Sequence, residues 1–132
     1  MARIVIIDDD TNLRTIIRQM LEGAGHQVRE ACDGAEAMSF ISESPVDLVI
    51  TDVIMPEKEG IETVIELHKK RPDVKIIVMS GGGRFGPEDY LETAVAFGAN
   101  HTIAKPFGRN EMLKAVERLL EQKKPQSAEI AD

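Results

Sequence analysis

Five short strand-like runs, of which the second is weaker and edge-type with Val28 as its main apolar residue, alternate with five stretches of helical periodicity. This alternation restricts the chain to very few folds. The runs predict β-strands at Ile4–Ile7, His26–Ala31, Asp47–Asp52, Val74–Met79 and His101–Ala104. Between and after them, apolar residues three and four positions apart predict amphipathic helices. Strands that alternate with helices form a parallel sheet with helices on both faces. With right-handed crossovers, the sequence predicts a doubly wound α/β fold with five helices and a five-stranded parallel sheet in the order 2-1-3-4-5.

Residues that start or stop helices set the predicted boundaries. Asp33, with Glu36 three residues later, is typical of a helix N-terminus, and Pro87 begins the fourth predicted helix. The fifth predicted helix ends before a polar segment that contains Pro125 and lacks periodicity. We therefore predict one domain over residues 1–122 and a disordered polar tail over residues 123–132.

Composition narrows the class of protein. The 132 residues are enough for one compact domain with its own core. A formal net charge of −7 disfavours a surface for nucleic acid or for anionic membranes. Cys32 is the only cysteine, so no internal disulfide can form, and no apolar run approaches a membrane span. We expect a cytoplasmic protein.

Chemically active side chains follow four of the five predicted strands: Asp8 and Asp9, Asp52, Ser80 and Lys105. Ligands of such sheets bind at the carboxyl ends of the strands, where the strand order reverses. The first and third strands are adjacent there, so the three aspartates should share one pocket. Because grouped carboxylates repel one another, we expect a hard cation, Mg²⁺ or Mn²⁺, among them.

Lys105 and Ser80 add a compact positive charge and a hydroxyl to the same edge. Metal, lysine and hydroxyl together suit the equatorial oxygens of a transferring phosphoryl group. A carboxylate can act as its acceptor and give an aspartyl phosphate. Asp52, at the centre of the sheet, is the best-placed acceptor.

The pattern resembles the receiver domains of two-component response regulators, which have a CheY-like, flavodoxin-like fold. The motifs that carry the resemblance are Asp8-Asp9, Asp52 followed by Met55-Pro56 and Gly60, Ser80, and Lys105-Pro106. They occur in order and at matching spacing over about residues 3–122.

The resemblance implies a role for each residue. Asp52 would be the phosphoacceptor. Asp9, Asp52 and the backbone carbonyl of Ile54 would bind the metal, with Asp8 acting largely through bound water. Ser80 would be the switch hydroxyl, and Lys105 would bind the phosphoryl group by its charge. Pro106 would be a cis proline that positions Lys105.

The resemblance also implies partners. A histidine kinase or a histidine phosphotransfer protein would supply the phosphoryl group. No output domain follows the last helix, so we expect a stand-alone regulator that signals to a downstream protein, through a surface near residues 89–120. It would catalyse only its own phosphorylation and dephosphorylation. The sequence leaves open whether the chain forms a weak dimer.

Two positions depart from the family pattern. Thr102 stands where a switch aromatic is usual, so we expect the loop at residues 81–83 to carry the switch. Ile54 and Gly82 offer no polar side chain to orient a hydrolytic water, which predicts a long-lived phosphoryl state.

One enzymatic alternative remains. Asp8 and Asp10 fit the start of haloacid-dehalogenase-like phosphohydrolases, but Asn12 does not fit the next position, and no cap insertion is present. A calcium loop fails because Leu13 and Gln19 replace its glycine and glutamate.

Overall fold

The computed structural model describes residues 2–52, 59–80 and 98–131, with side chains described over 2–52, 62–79 and 98–122. The strands are β1 (Arg3–Ile7), β2 (Gln27–Ala31), β3 (Leu48–Asp52), β4 (Lys75–Ser80) and β5 (His101–Ala104). The helices in the described ranges are α1 (Thr11–Gly23), α2 (Gly34–Glu43), α3 (Glu59–Lys70) and α4 (Arg109–Ala131). Each strand begins and ends within one residue of its predicted bounds.

All five strands are parallel, and their order is β2-β1-β3-β4-β5. Ile7 at the end of β1 pairs with Thr51 in β3, and Asp52 pairs with Met79 in β4. This register brings the carboxyl ends of β1 and β3 side by side. The predicted sheet and strand order are confirmed.

Successive residues of each central strand point to opposite faces, so the sheet has a core on both sides. On one face, Val5, Ile7, Val49, Ile76 and Val78 pack with side chains of α2 and α3. On the other face, Ile4, Ile6, Leu48, Ile50 and Ile77 pack with side chains of α1 and α4. The two apolar layers hold the strand ends, and the side chains that follow them, in fixed positions.

Side-chain caps fix the loops after β1 and β2. The Asp10 carboxylate accepts the Leu13 backbone N–H at 3.1 Å and so begins α1. Asp33 accepts the Glu36 backbone N–H at 2.8 Å, and the Glu36 carboxylate accepts the Cys32 N–H at 2.9 Å. These caps satisfy N–H groups that the first turn of a helix leaves without partners. They also place α1 and α2 directly beyond the strand ends.

The structure differs from the sequence prediction at its carboxyl end. α4 continues to Ala131, so the backbone of residues 123–131 is helical where we predict a disordered tail. Its residues include Gln, Lys, Ala and Glu, which favour helix, whereas our prediction gave more weight to Pro125. α4 is the fifth predicted helix. The helix predicted to begin at Pro87 lies outside the described residues.

Within the described ranges, no helix combines the length and the apolar character needed to cross a lipid bilayer.

Candidate functional site

Three carboxylates meet at the carboxyl edge of β1 and β3. One oxygen from each of Asp8, Asp9 and Asp52 lies within 4.8 Å of the other two. Asp8 is fully buried and Asp52 is 6% exposed, whereas Asp9 faces solvent. The arrangement follows from the register of β1 and β3. Ile7 pairs with Thr51, and Asp8 and Asp52 are the residues that directly follow this pair. The predicted grouping of these three residues is confirmed.

Lys105 enters the same pocket from the end of β5. Its Nζ lies 3.2 Å from Oδ2 of Asp8 and 3.3 Å from Oδ2 of Asp52. Its side chain is 20% exposed, so water screens these contacts less than it would at an open surface. Lys105 therefore bridges the two buried carboxylates.

The charges of the pocket decide the protonation state of this lysine. Burial lowers the pKa of Lys105, but the negative charges of Asp52 and Asp8 and the hydrogen bonds to them act in the opposite direction and prevail. The pKa of Lys105 is therefore raised above its ordinary value, and its ammonium stays charged. Three carboxylates still face this one ammonium, which leaves the pocket attractive to a further cation.

Asp8 is held by hydrogen bonds to both its backbone and its carboxylate. Its N–H donates to the Ala31 carbonyl at 3.2 Å, and its Oδ1 accepts the Asp10 backbone N–H at 2.9 Å. Its Oδ2 accepts from Lys105, and its backbone carbonyl accepts from Nη1 of Arg14. These partners come from the end of β2, the start of α1 and the end of β5. The Asp8 carboxylate thus has a fixed orientation.

The donor set fits a small hard cation. Oxygens that bind Mg²⁺ at about 2.1 Å lie about 3.0 Å apart when adjacent and about 4.2 Å apart when opposite each other. The three carboxylate oxygens lie within 4.8 Å of one another, a limit close to the larger of these two separations. The all-oxygen donor set also favours Mg²⁺ or Mn²⁺ over softer metals.

The other predicted site residues are described in part. Ser80 ends β4 opposite Ala104 of β5, which places its backbone at the carboxyl edge; its side chain and all of Ile54 lie outside the described parts. Thr102 pairs with Val78 and is half-buried. The Lys105–Pro106 peptide bond is cis, as the resemblance implies.

Sequence reasoning missed Arg14. It lies beside the apolar stripe of α1 and contacts both the Asp8 carbonyl and the Glu30 carboxylate. A signal was present, since Glu30 is a charged residue near the end of a strand that packs beside α1. The sequence alone does not show which way either side chain points.

The sequence of this chain is similar to those of known response regulators. A family model described as the response regulator receiver domain matches residues 4–117. The chain is 37% identical over 134 residues to the DNA-binding transcriptional regulator NtrC of Azospirillum brasilense, which covers 99% of the chain and 27% of that protein. It is 33% identical over 130 residues to the response regulator MprA of Mycobacterium bovis, with 96% and 54% covered. The chain spans about a quarter and about half of these relatives.

Solved structures show the same fold. A CheY-like response regulator receiver domain protein from Methanospirillum hungatei superposes with a TM-score of 0.86 at 28% identity, covering 96% of this chain and 98% of that one. The beryllofluoride-activated NtrC4 receiver domain dimer superposes with a TM-score of 0.83 at 26% identity, covering 93% and 99%.

Proposed function

Because the chain belongs to the family of response regulator receiver domains, we propose that it accepts a phosphoryl group on Asp52 in a Mg²⁺-dependent reaction. The observation that carries the proposal is the convergence of Asp8, Asp9 and Asp52 with the ammonium of Lys105 at one edge of the sheet. A phosphoryl group needs an acceptor oxygen and positive charge around its equatorial oxygens. Asp52 provides the oxygen, and Lys105 provides charge beside it.

The proposed step is an in-line displacement at phosphorus. A carboxylate oxygen of Asp52 attacks the phosphorus of a phosphohistidine, an acyl O–P bond forms, and the P–N bond breaks. The imidazole leaves with the electron pair of that bond and takes up a proton. The phosphoryl oxygens stay negative throughout, so the reaction depends on cations close to them.

Lys105 supports the proposed step from its observed position. Its Nζ is within 3.3 Å of an Asp52 oxygen, so a phosphoryl group on Asp52 would lie beside the ammonium. We propose that Lys105 then exchanges part of its contact with Asp52 for a contact with a phosphoryl oxygen. The resemblance assigns the second donor to the hydroxyl of Ser80, at the end of β4.

The metal would be held by the carboxylates of Asp9 and Asp52 and by the backbone carbonyl of Ile54, with Asp8 acting largely through bound water, as the resemblance implies. Mg²⁺ bound there would neutralise charge on the phosphoryl oxygens and draw the donor into line. Asp9 is exposed, so it is the residue best placed to keep metal-bound water in contact with solvent.

Signalling partners follow from the family and are part of the proposal. The phosphoryl donor would be a histidine kinase or a histidine phosphotransfer protein, and the output would pass by protein contact. The NtrC relatives are named as DNA-binding regulators, but this chain covers 27% of the first of them, so the stand-alone organisation stays a prediction. The downstream surface expected near residues 89–120 is described only from residue 98 onward.

The structure gives a reason to prefer this function over a phosphohydrolase that uses Asp8 as its nucleophile. Both oxygens of Asp8 already accept hydrogen bonds, from the Asp10 backbone and from Lys105. Asp10, the second aspartate that fits the motif of such enzymes, uses its carboxylate to cap α1. Because the Asp10 carboxylate is used by this cap, the phosphohydrolase interpretation has less support, and we propose that the protein is not an enzyme toward other substrates.

Metal binding tests the proposal directly. Isothermal titration with Mg²⁺ should show one site in the wild-type protein, and Asp52→Asn should weaken it strongly because one ligand loses its charge. Asp73→Asn, an exposed carboxylate paired with Arg71 far from this edge, is the matched control and should bind as the wild type does. Equal affinity in all three proteins would overturn the proposed metal site.

A further inference from the structure

Arg14 connects the carboxylate pocket to the edge strand β2. Its side chain is 13% exposed, and its Nε lies 3.0 Å from Oε1 of Glu30. Its Nη1 donates to the backbone carbonyl of Asp8. One guanidinium group thus joins a carboxylate of β2 to the residue that directly follows β1.

Glu30 fixes the guanidinium in this position. Its second oxygen accepts from Nη1 of Arg18 at 3.1 Å, so both of its oxygens are occupied by arginines of α1. Burial raises the pKa of Glu30, but its hydrogen bonds and charge pairing with Arg14 and Arg18 outweigh burial and lower it. Glu30 therefore stays ionised, and its contact holds the guanidinium of Arg14 beside Asp8.

The pairing also has an electrostatic consequence. An unpaired arginine beside Asp8 would cancel negative charge that the cation site needs. Because Glu30 neutralises Arg14 from the side away from the pocket, the guanidinium can orient the Asp8 backbone without repelling a metal ion. Arg14 can therefore orient Asp8 while the negative charge of the cation site is preserved.

We infer that Arg14, held by Glu30, is a positioning residue that sets the direction of the Asp8 carboxylate toward the metal site. The inference rests on the proposed function. Residues that orient metal ligands from outside the coordination sphere commonly change affinity by about tenfold to a hundredfold when they are replaced. Arg14 contacts the Asp8 carbonyl and not its carboxylate, so we expect a loss at the lower end of that range.

Three variants test this inference by Mg²⁺ titration. Arg14→Met removes both contacts and should weaken Mg²⁺ binding about tenfold. Glu30→Gln leaves Arg14 charged and loosely held, and should weaken binding by less, with an effect that shrinks as salt screens the freed charge. Arg18→Met is the matched control: it also loses a contact to Glu30 but leaves both contacts of Arg14 in place, and its affinity should match the wild type.

Arg14→Lys separates positioning from stability. Lysine keeps a charge for Glu30 but lacks the fork that bonds two acceptors in fixed directions. Thermal unfolding in EDTA should therefore recover toward wild type, while Mg²⁺ affinity stays low. If Arg14→Met does not fold, the Mg²⁺ affinity of Arg14→Lys tests the positioning role in its place.

The outcomes distinguish the two proposals. If the wild type binds Mg²⁺ but Arg14→Met and Arg14→Lys bind it as tightly as Arg18→Met does, the positioning role is wrong and the proposed function stands. If the wild type does not bind Mg²⁺ at all, both proposals fail.

Discussion

The ammonium nitrogen of Lys105 lies 3.3 Å from a carboxylate oxygen of Asp52, although 53 positions separate the two residues in the chain. β4 lies between β3, which ends at Asp52, and β5, which Lys105 directly follows, so the lysine side chain reaches across the end of β4. The contact joins the proposed phosphoacceptor to the charge that would receive its phosphoryl group. Together with its contact to Asp8, Lys105 links the ends of β1, β3 and β5 at the functional edge.

Replacing Lys105 should destabilise the metal-free protein. Lys105→Met leaves the buried carboxylates of Asp8 and Asp52 without their ammonium partner, which costs about 1–3 kcal/mol in the free energy of unfolding. Urea denaturation in EDTA measures the loss. Mg²⁺ should reduce it, because the cation then compensates the same carboxylates.

Lys114→Met is the matched control for this prediction, since Lys114 is an exposed lysine of α4. It should unfold as the wild type does, with and without Mg²⁺. If Lys105→Met showed the same stability as Lys114→Met in EDTA, the bridge would contribute nothing to the fold.

Much of this edge could be predicted because its residues directly follow buried strands. A parallel sheet brings the carboxyl ends of its strands together, so Asp8, Asp52 and Lys105 had to converge once the strand order was known. Arg14 could not be found in that way. It lies on a helix, and its contacts depend on the rotation of α1 about its axis and on side-chain rotamers. The length of α4 was also missed, because helix propensity and Pro125 give opposing signals in residues 123–131.

A close contact between α2 and α3 predicts a sensitive glycine. A β-carbon at Gly34 would collide with Oγ1 of the buried Thr63 and would lie 3.3 Å from its Cβ. Gly34→Ala should therefore destabilise the protein by about 1–3 kcal/mol through overpacking. Thermal unfolding measures the effect.

Two further variants show whether the collision is the cause. Gly23→Ala, where a new β-carbon would lie 3.9 Å from the guanidinium of Arg109, should be neutral or stabilising by about 0.5–1 kcal/mol. Adding Thr63→Ala to Gly34→Ala should recover part of the loss. A double variant that lost the sum of the two single effects would argue against the steric explanation.

Acidification should weaken the attachment of the amino-terminal segment. His26 Nδ1 accepts the Ala2 backbone N–H at 3.2 Å, and burial, followed by the positive N-terminus, lowers the pKa of His26 below 6.5. The unfolded chain then binds more protons than the folded one just below pH 6.5. The contribution of His26 is therefore complete above that pH and is lost as the pH falls through the folded-state pKa.

His26→Gln tests this prediction because glutamine can accept the same N–H and does not titrate in this range. The free energy of unfolding should fall more steeply in the wild type than in the variant between about pH 7.5 and about pH 5.5. Parallel curves for the two proteins would show that His26 does not contribute to the pH dependence.

The most direct test of the central claim is the intact mass of the protein after incubation with phosphoramidate, a small donor with a P–N bond. With Mg²⁺, the wild type should gain the mass of one phosphoryl group, and it should gain none in EDTA. Asp52→Asn should gain none in either condition, whereas Asp73→Asn should behave as the wild type does. A phosphoryl group that still formed on Asp52→Asn, or that formed equally well in EDTA, would contradict the account.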